Sequence, residues 1–286
     1  MRKVAIVTDS IACLTREQIE QYGIRIVPVN VVFEDRIYRN GVELAASEAY
    51  QLLERAPEHF STSPASPADY ANVFRELGAQ AQGILCVTIS SKLSTMFNIA
   101  SLAKEQVREE IPQTAIEILD SKSAAAGEAL IVLAAARLAV QGKELAEVTQ
   151  VGRIVRDRVY VACILDTICH VYRTGRIPKV AAQVGSMLGV KPILTISDGL
   201  AHFAGVTRIK QRGVERLIEI MKQKVGAEPV HVAVMHADAL EEGEKLKERV
   251  SSEFNCAELF LTEFSPVMGY ATGRGVLGLA FYSLPP

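Results

Sequence analysis

The sequence predicts an α/β protein of two lobes, with a parallel-sheet, three-layer N-terminal lobe over residues 1–158 and a smaller mixed-sheet C-terminal lobe over residues 159–286. Short apolar runs rich in β-branched residues alternate with helical patterns along the chain. Strands separated by helices favour parallel pairing through right-handed crossovers. The six apolar runs are Val4 to Val7, Ile84 to Thr88, Ile116 to Leu119, Val159 to Leu165, Val232 to Met235 and Leu259 to Thr262.

Two features of the first half depart from simple alternation. Val27 to Phe33 and Arg36 to Tyr38, separated by Glu34-Asp35, predict a small inserted hairpin. Ala124 to Val140 predicts a helix, because the segment is Ala-rich, lacks Pro and ends near Gly142. This helix is apolar nearly all round, so we expect it to lie well inside the fold.

The boundary between the lobes is placed near residue 159. Glu144 to Arg158 is the most charged helical stretch, and a new apolar strand follows it. Residues 189–208 predict two strands joined at Asp198-Gly199, which is a favourable hairpin dipeptide. The second half is therefore expected to contain a mixed sheet.

Composition and charge exclude several classes of function. The 286 residues contain 31 Lys and Arg against 33 Asp and Glu, a net charge of -2, with no like-charge block that would attract nucleic acid. The five cysteines form no CxxC pair, which indicates a reducing compartment. The longest apolar run, Ala129 to Ala136, is too short for stable membrane insertion, and Val4 to Val7 favours a first strand over a signal peptide. A cytoplasmic protein is expected.

The first candidate ligand contacts are Asp9 and Ser10, at the carboxyl end of the first predicted strand. Ligands of parallel α/β sheets bind at that end. The alternative is that both side chains only tie down the loop and cap the following turn.

A second hydroxyl-rich segment precedes a helix. Ser66, Pro67 and Asp69 are explained as N-cap, first helical residue and acid of a capping box. Thr62 and Ser63 are not needed for capping, and we expect them in the loop just before the positive helix end.

A third segment, Ser90 to Thr95, follows the strand ending at Thr88 and opens a helix. One of its hydroxyls is expected to cap that helix. Because the segment contains more hydroxyls than capping requires, it suits a carboxylate or a phosphate at the helix N-terminus.

The glycine-rich segment Gly269 to Gly278 contains a literal GxGxxG, but only eight residues follow it, too few for the helix and strand of a dinucleotide site. We expect a loop approaching a ligand, followed by a closing edge strand. No P-loop, HExxH or GxSxG motif occurs, and the five histidines lack metal-ligand spacing. The proximity of His236 and Asp238 in the sequence is weak evidence for a functional pair, so neither a metal site nor a catalytic residue is assigned.

Taken together these segments resemble the DegV family, bacterial fatty-acid-binding proteins that serve a separate fatty acid kinase. No single segment is specific, but their order and spacing run nearly end to end, as one DegV-type domain over about residues 2–284. The matching segments are VTDS at 7–10, TSPASP at 62–67, ISSKLST at 89–95, LDSKSA at 119–124, YRTGRI at 172–177, VKPILTISDG at 190–199, HAD at 236–238 and SPVMGYATGRGVLG at 265–278.

The resemblance implies that the lipid lies between or within the lobes. The family holds the carboxylate with the Thr of a TSxP segment and the last Ser of an SSxLS segment, which correspond to Thr62 and Ser94. Where the family completes this network with a histidine, the present sequence has Ala271. Tyr270 or Arg274 is a possible substitute, because a guanidinium pairs well with a carboxylate.

The functional expectation is a non-catalytic carrier of a palmitate, stearate or oleate type of fatty acid, without cofactor or metal. The resemblance implies presentation of the lipid to a separate fatty acid kinase for acyl-phosphate formation, with Arg173 and Arg176 in the docking surface. The alternatives are a phosphotransferase or acyl hydrolase related to the dihydroxyacetone kinase fold, or a carrier of another amphipathic acid. Ser63 and Thr272 are further possible ligand contacts, and the sequence does not indicate an oligomeric state.

Overall fold

The computed structural model describes residues 2–175, 189–226 and 228–283, and its strands and helices are numbered below in chain order. The strands are β1 Arg2–Asp9, β2 Arg25–Val27, β3 Asn30–Phe33, β4 Arg36–Arg39, β5 Phe60–Ser63, β6 Ala81–Thr88, β7 Ala115–Asp120, β8 Tyr160–Ile164, β9 Lys191–Ser197, β10 Leu200–Thr207, β11 Val230–His236, β12 Cys256–Glu263 and β13 Leu277–Ser283. The helices are α1 Arg16–Tyr22, α2 Ala46–Arg55, α3 Pro67–Gly78, α4 Met96–Val107, α5 Ala126–Val140, α6 Leu145–Arg156, α7 Cys169–Thr174, α8 Lys210–Val225, α9 Leu240–Glu253 and α10 Pro266–Thr272, with a 3₁₀ turn at Ser10–Ala12.

The N-terminal half contains a four-stranded sheet in the order β2-β1-β6-β7. Every pair in it is parallel. Helices or helical turns connect its strands, as crossovers between parallel neighbours require. The predicted parallel sheet of this half is therefore confirmed.

The C-terminal half forms a six-stranded mixed sheet in the order β10-β9-β8-β13-β11-β12, which confirms the predicted mixed sheet. The prediction that the last strand closes the sheet at its edge is wrong, because β13 is central and pairs antiparallel with both β8 and β11. Its residues Leu277 to Tyr282 are all buried, as in a strand covered on both faces. Strands before and after residue 159 belong to different sheets, and the lobe boundary at that residue stays a prediction.

A third sheet of three strands, β4-β3-β5, contains the predicted early hairpin. The hairpin begins at Asn30, and Val27 instead pairs with Asp9 in the parallel sheet. Thr62 and Ser63 were expected in a loop, but they belong to β5, where Thr62 pairs with Val31. Three consecutive polar residues after Phe60 give this strand no apolar pattern, because part of it faces a cavity instead of the core.

The hairpin predicted at Asp198-Gly199 is confirmed by the antiparallel pair β9 and β10. Both turn residues have positive φ, 50° at Asp198 and 77° at Gly199. Such a turn suits the twist of the strands, and Asp and Gly are among the residues that adopt it at low cost.

Helix α5 lies between the two larger sheets. Its residues Ala126 to Ala136 are all buried. They share one core with Val4 and Ile6 of β1 on one side and with Ala233 and Met235 of β11 on the other. This arrangement explains why the helix has no polar face, and it confirms the expected interior position.

The two predicted helix starts differ. The capping box of Ser66 and Asp69 is present at α3. At α4, however, Thr95 occupies the N-cap position without a side-chain capping hydrogen bond, and the Ser94 hydroxyl accepts from the Met96 amide at 3.4 Å. Among the helices of the described ranges, none combines the length and apolar composition needed to cross a bilayer.

Candidate ligand-binding site

A cavity of about 550 Å³ lies where segments following several parallel strands meet the second sheet. Its volume is within the range of small-molecule pockets, roughly 300–1,000 Å³. The segments after β1, β5, β6 and β7 line one side, and β8, β9, β10 and α10 line the other. Much of the lining is aliphatic, including Ile11, Val29, Ile89, Val161, Leu194 and Met268, and the hydroxyl-bearing lining includes Thr62, Ser63, Ser94, Thr95, Tyr270 and Thr272.

Thr62 and Ser94, the predicted carboxylate residues, both line this cavity. Thr62 lies on β5, and Ser94 lies in the loop that leads into α4. Within the described part of the chain, the Thr62 hydroxyl has no hydrogen-bond partner, and the Ser94 hydroxyl only accepts a bond, from Met96 N–H. Both hydroxyl protons are therefore free to be donated to a ligand oxygen.

The loop carrying Ser94 is held by two contacts of Ser90. The Ser90 hydroxyl donates to the Gly199 carbonyl at 2.6 Å, and the Ser90 amide donates to the Ser123 carbonyl at 2.8 Å. The turn at Gly199 approaches so closely that a Cβ there would lie 2.5 Å from the Ser90 hydroxyl oxygen. Because the β9–β10 turn belongs to the other sheet, this contact ties the loop to both halves.

Asp9 and Ser10 contact other parts of the protein. The fully buried Asp9 carboxyl accepts from the amides of Ile11 at 2.9 Å and Ile89 at 3.0 Å. Burial raises the pKa of Asp9 to about 6 despite these bonds. The Ser10 hydroxyl accepts from Val29 N–H and from the Asn40 side-chain amide. Neither residue is in the lining of the cavity described above, whereas both border a separate hollow of about 690 Å³.

Helix α10 brings Tyr270, Ala271 and Thr272 to the cavity, so the first part of the glycine-rich segment is helical and not the expected loop. The Thr272 hydroxyl donates to the Met268 carbonyl at 2.8 Å within the helix. A Cβ at Gly269 would lie 2.3 Å from the Tyr50 ring. Glycine therefore allows α10 to pack directly on α2, which sets the position of the residues facing the cavity.

The Tyr270 ring stacks on Phe60, with 5.5 Å between ring centroids. Because Phe60 begins β5, this contact connects α10 to the strand that carries Thr62. Ala271 lies in the lining, at the position where the family resemblance implies a histidine, so a larger side chain there would project towards the cavity.

The arginines considered in the sequence lie elsewhere. Arg274 forms ion pairs with Glu54 and Asp238 and is outside the lining. Arg173, on α7, is exposed, and its guanidinium donates to the Pro57 carbonyl at 3.5 Å. Arg176 lies outside the described residues.

Two residues with unusual surroundings were missed from the sequence, Lys92 in the cavity lining and Glu128 outside it. Lys92 lines the cavity, although only the hydroxyls of the segment Ser90 to Thr95 were predicted to contact a ligand. Glu128 is fully buried in the first turn of α5, where its carboxyl accepts from the Thr8 hydroxyl at 2.9 Å. Burial and the nearby Asp9 charge raise the pKa of Glu128 well above its usual range. The available signal was a single acid at the start of an otherwise apolar helix.

The described residues offer no obvious metal centre. Within residues 2–175, 189–226 and 228–283, no three His, Cys, Asp or Glu side chains come together in a way that would hold a metal ion. His236 is buried, and its Nδ1 accepts from the Ala239 amide at 3.3 Å. Burial lowers the pKa of His236, which suits a neutral acceptor in a turn.

The fold and cavity define a class: an α/β protein of two large sheets around a buried helix, with a mainly apolar, ligand-sized cavity that contains unpaired hydroxyls. The chain belongs to the DegV family, because the family model described as "Uncharacterised protein, DegV family" matches residues 3–284. The family predicted from the sequence is therefore confirmed.

Curated relatives and solved structures match this chain over nearly its full length. A DegV domain-containing protein of Clostridium acetobutylicum is 32% identical over 284 residues, which cover 99% of each chain. A DegV family protein from Thermus thermophilus, solved for its fatty acid binding, has a TM-score of 0.90 at 28% identity and covers 99% of this chain and 100% of that one. A stearic-acid-binding protein from Eubacterium ventriosum ATCC 27560 has a TM-score of 0.90 at 27% identity, covering 99% of this chain and 98% of that one.

Proposed function

We propose that this chain binds a long-chain fatty acid of the palmitate, stearate or oleate type, with its tail in the cavity and its carboxylate at Thr62 and Ser94. The observation that carries the proposal is the mainly apolar cavity of about 550 Å³ in which the hydroxyl protons of Thr62 and Ser94 have no acceptor among the described residues. Solved relatives with matching folds are described as fatty-acid-binding, and one as binding stearic acid.

The tail supplies most of the affinity. Burying about fifteen methylenes contributes roughly 0.8 kcal/mol each, on the order of 12 kcal/mol before the costs of ordering and association. Side chains such as Val161, Leu194 and Met268 offer the apolar surface for this burial. A neutral long-chain molecule would gain the same contribution, so the tail alone does not define an acid.

The head group sets the orientation. A carboxylate leaving water needs hydrogen-bond donors to replace its hydration. Thr62 and Ser94 each retain one hydroxyl proton for this purpose, and Ser94 lies directly before the N-terminal end of α4. The dipole of that helix also favours negative charge.

The chain is proposed to act as a carrier and not as an enzyme. The carboxylate would lie near the loops, where a separate fatty acid kinase could transfer a phosphoryl group to it and form an acyl phosphate. Arg173 is proposed for the docking surface, since its side chain is exposed and its hydrogen bond to the Pro57 carbonyl is long. Arg176 is part of the same proposal from the sequence alone.

The binding proposal is tested by lipid extraction and titration. Protein expressed in a bacterium should contain co-purifying fatty acid by mass spectrometry, and the delipidated protein should bind palmitate in calorimetry. Ser94→Ala and Thr62→Val should each weaken palmitate binding about ten- to a hundredfold, because each removes a hydrogen bond to a charged group. Ser101→Ala is the matched control, since that hydroxyl bonds to the Phe97 carbonyl within α4. Delipidated protein that binds neither palmitate nor oleate would refute the proposal.

The kinase proposal needs a separate assay. Labelled ATP and palmitate are incubated with this chain, with a bacterial fatty acid kinase, and with both. Acyl phosphate should form only when both proteins are present. Product formed by this chain alone would show an enzyme, and no product with any compatible kinase would remove the carrier role while leaving lipid binding intact.

A further inference from the structure

Lys92 has a distinctive place among the cavity residues. Of the side chains that the described parts of the protein contribute to the lining, it is the one with a formal charge at neutral pH. It is exposed, so it lies at the rim and not in the depth of the cavity. Its backbone amide donates to the Ser90 hydroxyl at 3.2 Å, and Ser90 is itself fixed to the Gly199 carbonyl.

The ammonium group of Lys92 is uncommitted in the described structure. No Asp or Glu of the described ranges lies within ion-pair distance of it, although ion pairs involve many other lysines. Asp120 bonds to Ser91, the residue before Lys92. Its carboxylate already accepts from the Ser91 amide, the Ser91 hydroxyl and the Lys122 amide. The positive charge is therefore available to a ligand.

The other polar groups at this end of the cavity are neutral. Thr62 and Ser94 can donate hydrogen bonds to a ligand, but neither compensates a negative charge, and a carboxylate moved out of water without a counter-charge is costly. Ser94 lies two residues after Lys92, and the amides of both Leu93 and Ser94 donate to the Ser90 carbonyl, at 3.0 and 3.1 Å. This tight turn keeps Lys92 and Ser94 on one short, anchored segment.

We propose that Lys92 is the residue that makes the site selective for a charged acid over a neutral lipid of the same length, by pairing with the ligand's head group at the cavity rim. This inference rests on the proposed fatty acid function and adds the source of head-group selectivity to it. The hydroxyls of Thr62 and Ser94 can donate to an alcohol oxygen as well as to a carboxylate, whereas the charge of an ammonium group favours the anion. Selectivity, and not affinity alone, therefore identifies the role of Lys92.

The test compares palmitate with hexadecan-1-ol on delipidated protein. The ratio of the two dissociation constants is measured for the wild type, Lys92→Gln, Lys92→Arg and Lys104→Gln, at low and at moderate salt. Lys104 is the control, because it lies on α4 outside the lining and is also without an ion pair among the described residues. Lys92→Gln should lower the preference for palmitate about two- to fivefold, the range of partly exposed ion pairs, while hexadecanol affinity stays the same. Lys92→Arg should keep the preference, and salt should reduce it only in proteins with a cation at residue 92.

The outcomes separate this inference from the function on which it rests. An unchanged ratio in Lys92→Gln, or an equal loss in Lys104→Gln, would overturn the role of Lys92 and leave fatty acid binding in place. Equal weakening of both ligands in Lys92→Gln would indicate a structural role and also overturn it. If the wild type binds neither ligand, the proposed function itself fails.

Discussion

Asp120 and Ser91 are joined by two hydrogen bonds, in which the Asp120 carboxylate accepts from the Ser91 amide at 3.2 Å and from the Ser91 hydroxyl at 2.5 Å. Asp120 ends β7, and Ser91 belongs to the loop that follows β6 and leads to Ser94. The pair therefore attaches a cavity loop to the end of the neighbouring strand.

Asp120→Ala should loosen this loop. Hydrogen bonds to a partly exposed carboxylate contribute about 1–2 kcal/mol, so the free energy of unfolding should fall by that amount in urea titrations. Palmitate binding should weaken as well, because Ser94 loses part of its positioning. A double-mutant cycle with Ser91→Ala isolates the pair. Independent, additive effects of the two substitutions would contradict the proposed attachment.

Glu128→Gln should change how stability depends on pH. Burial and the Asp9 charge raise the pKa of Glu128 above its ordinary value of 4.5, so the folded protein keeps a proton that the unfolded chain releases. The stabilisation that the bound proton of Glu128 provides is complete below pH 4.5. It is lost as the pH rises towards the raised pKa, at about 1.4 kcal/mol per pH unit. Gln preserves the neutral state, so the variant should gain stability relative to the wild type between about pH 5 and pH 7.

The measurement is urea unfolding of both proteins across that pH range. Glu105→Gln is the control, because Glu105 is exposed and pairs with Arg108 on the surface of α4. A wild-type protein whose stability follows that of Glu128→Gln in parallel would show that Glu128 is ionised in the folded state.

Local sequence patterns predicted most of the fold. The hairpin at Asp198-Gly199 and the buried helix α5 follow from short-range signals, a turn dipeptide and a continuous apolar surface. The central position of β13 depends on pairing with β8 and β11, which lie far away in the sequence. The strand at Thr62 was missed because its polar side chains serve a cavity, so it lacks the apolar alternation of a strand over a core.

The candidate site shows the same limit. The rule that ligands lie after parallel strands pointed to the hydroxyl-rich segment that contains Ser94 and lines the cavity, but it also suggested Asp9. The Asp9 carboxyl instead accepts hydrogen bonds from the amides of Ile11 and Ile89. No pattern in the sequence predicts which polar side chains will bond to the backbone. The choice of Thr62 and Ser94 as the carboxylate residues came from the family resemblance and not from spacing.

Arg274→Gln tests whether this arginine serves the ligand or the fold. Its guanidinium pairs with Glu54 on α2 and with Asp238, which has a positive φ of 49°. The side chain is 41% exposed, so the two ion pairs together should contribute about 0.5–1.5 kcal/mol to the free energy of unfolding. Palmitate affinity by calorimetry should stay within about twofold of the wild type. A loss of tenfold or more without a matching loss of stability would make Arg274 a ligand residue.

Ala271→His introduces an imidazole at the position where the family resemblance implies one. Ala271 already lies in the cavity lining on α10, between Tyr270 and Thr272, so the new side chain would extend into the cavity that Thr62 and Ser94 also line. A histidine N–H donated to the carboxylate should tighten palmitate binding by about tenfold, and more below the imidazole's usual pKa of about 6.5, where the ring is charged. Ala271→Leu fills a similar space without a donor and should weaken binding, because it takes volume from the cavity. If both variants weaken palmitate equally, residue 271 acts through volume alone, and the neutral hydroxyls with Lys92 form the complete head-group site of this chain.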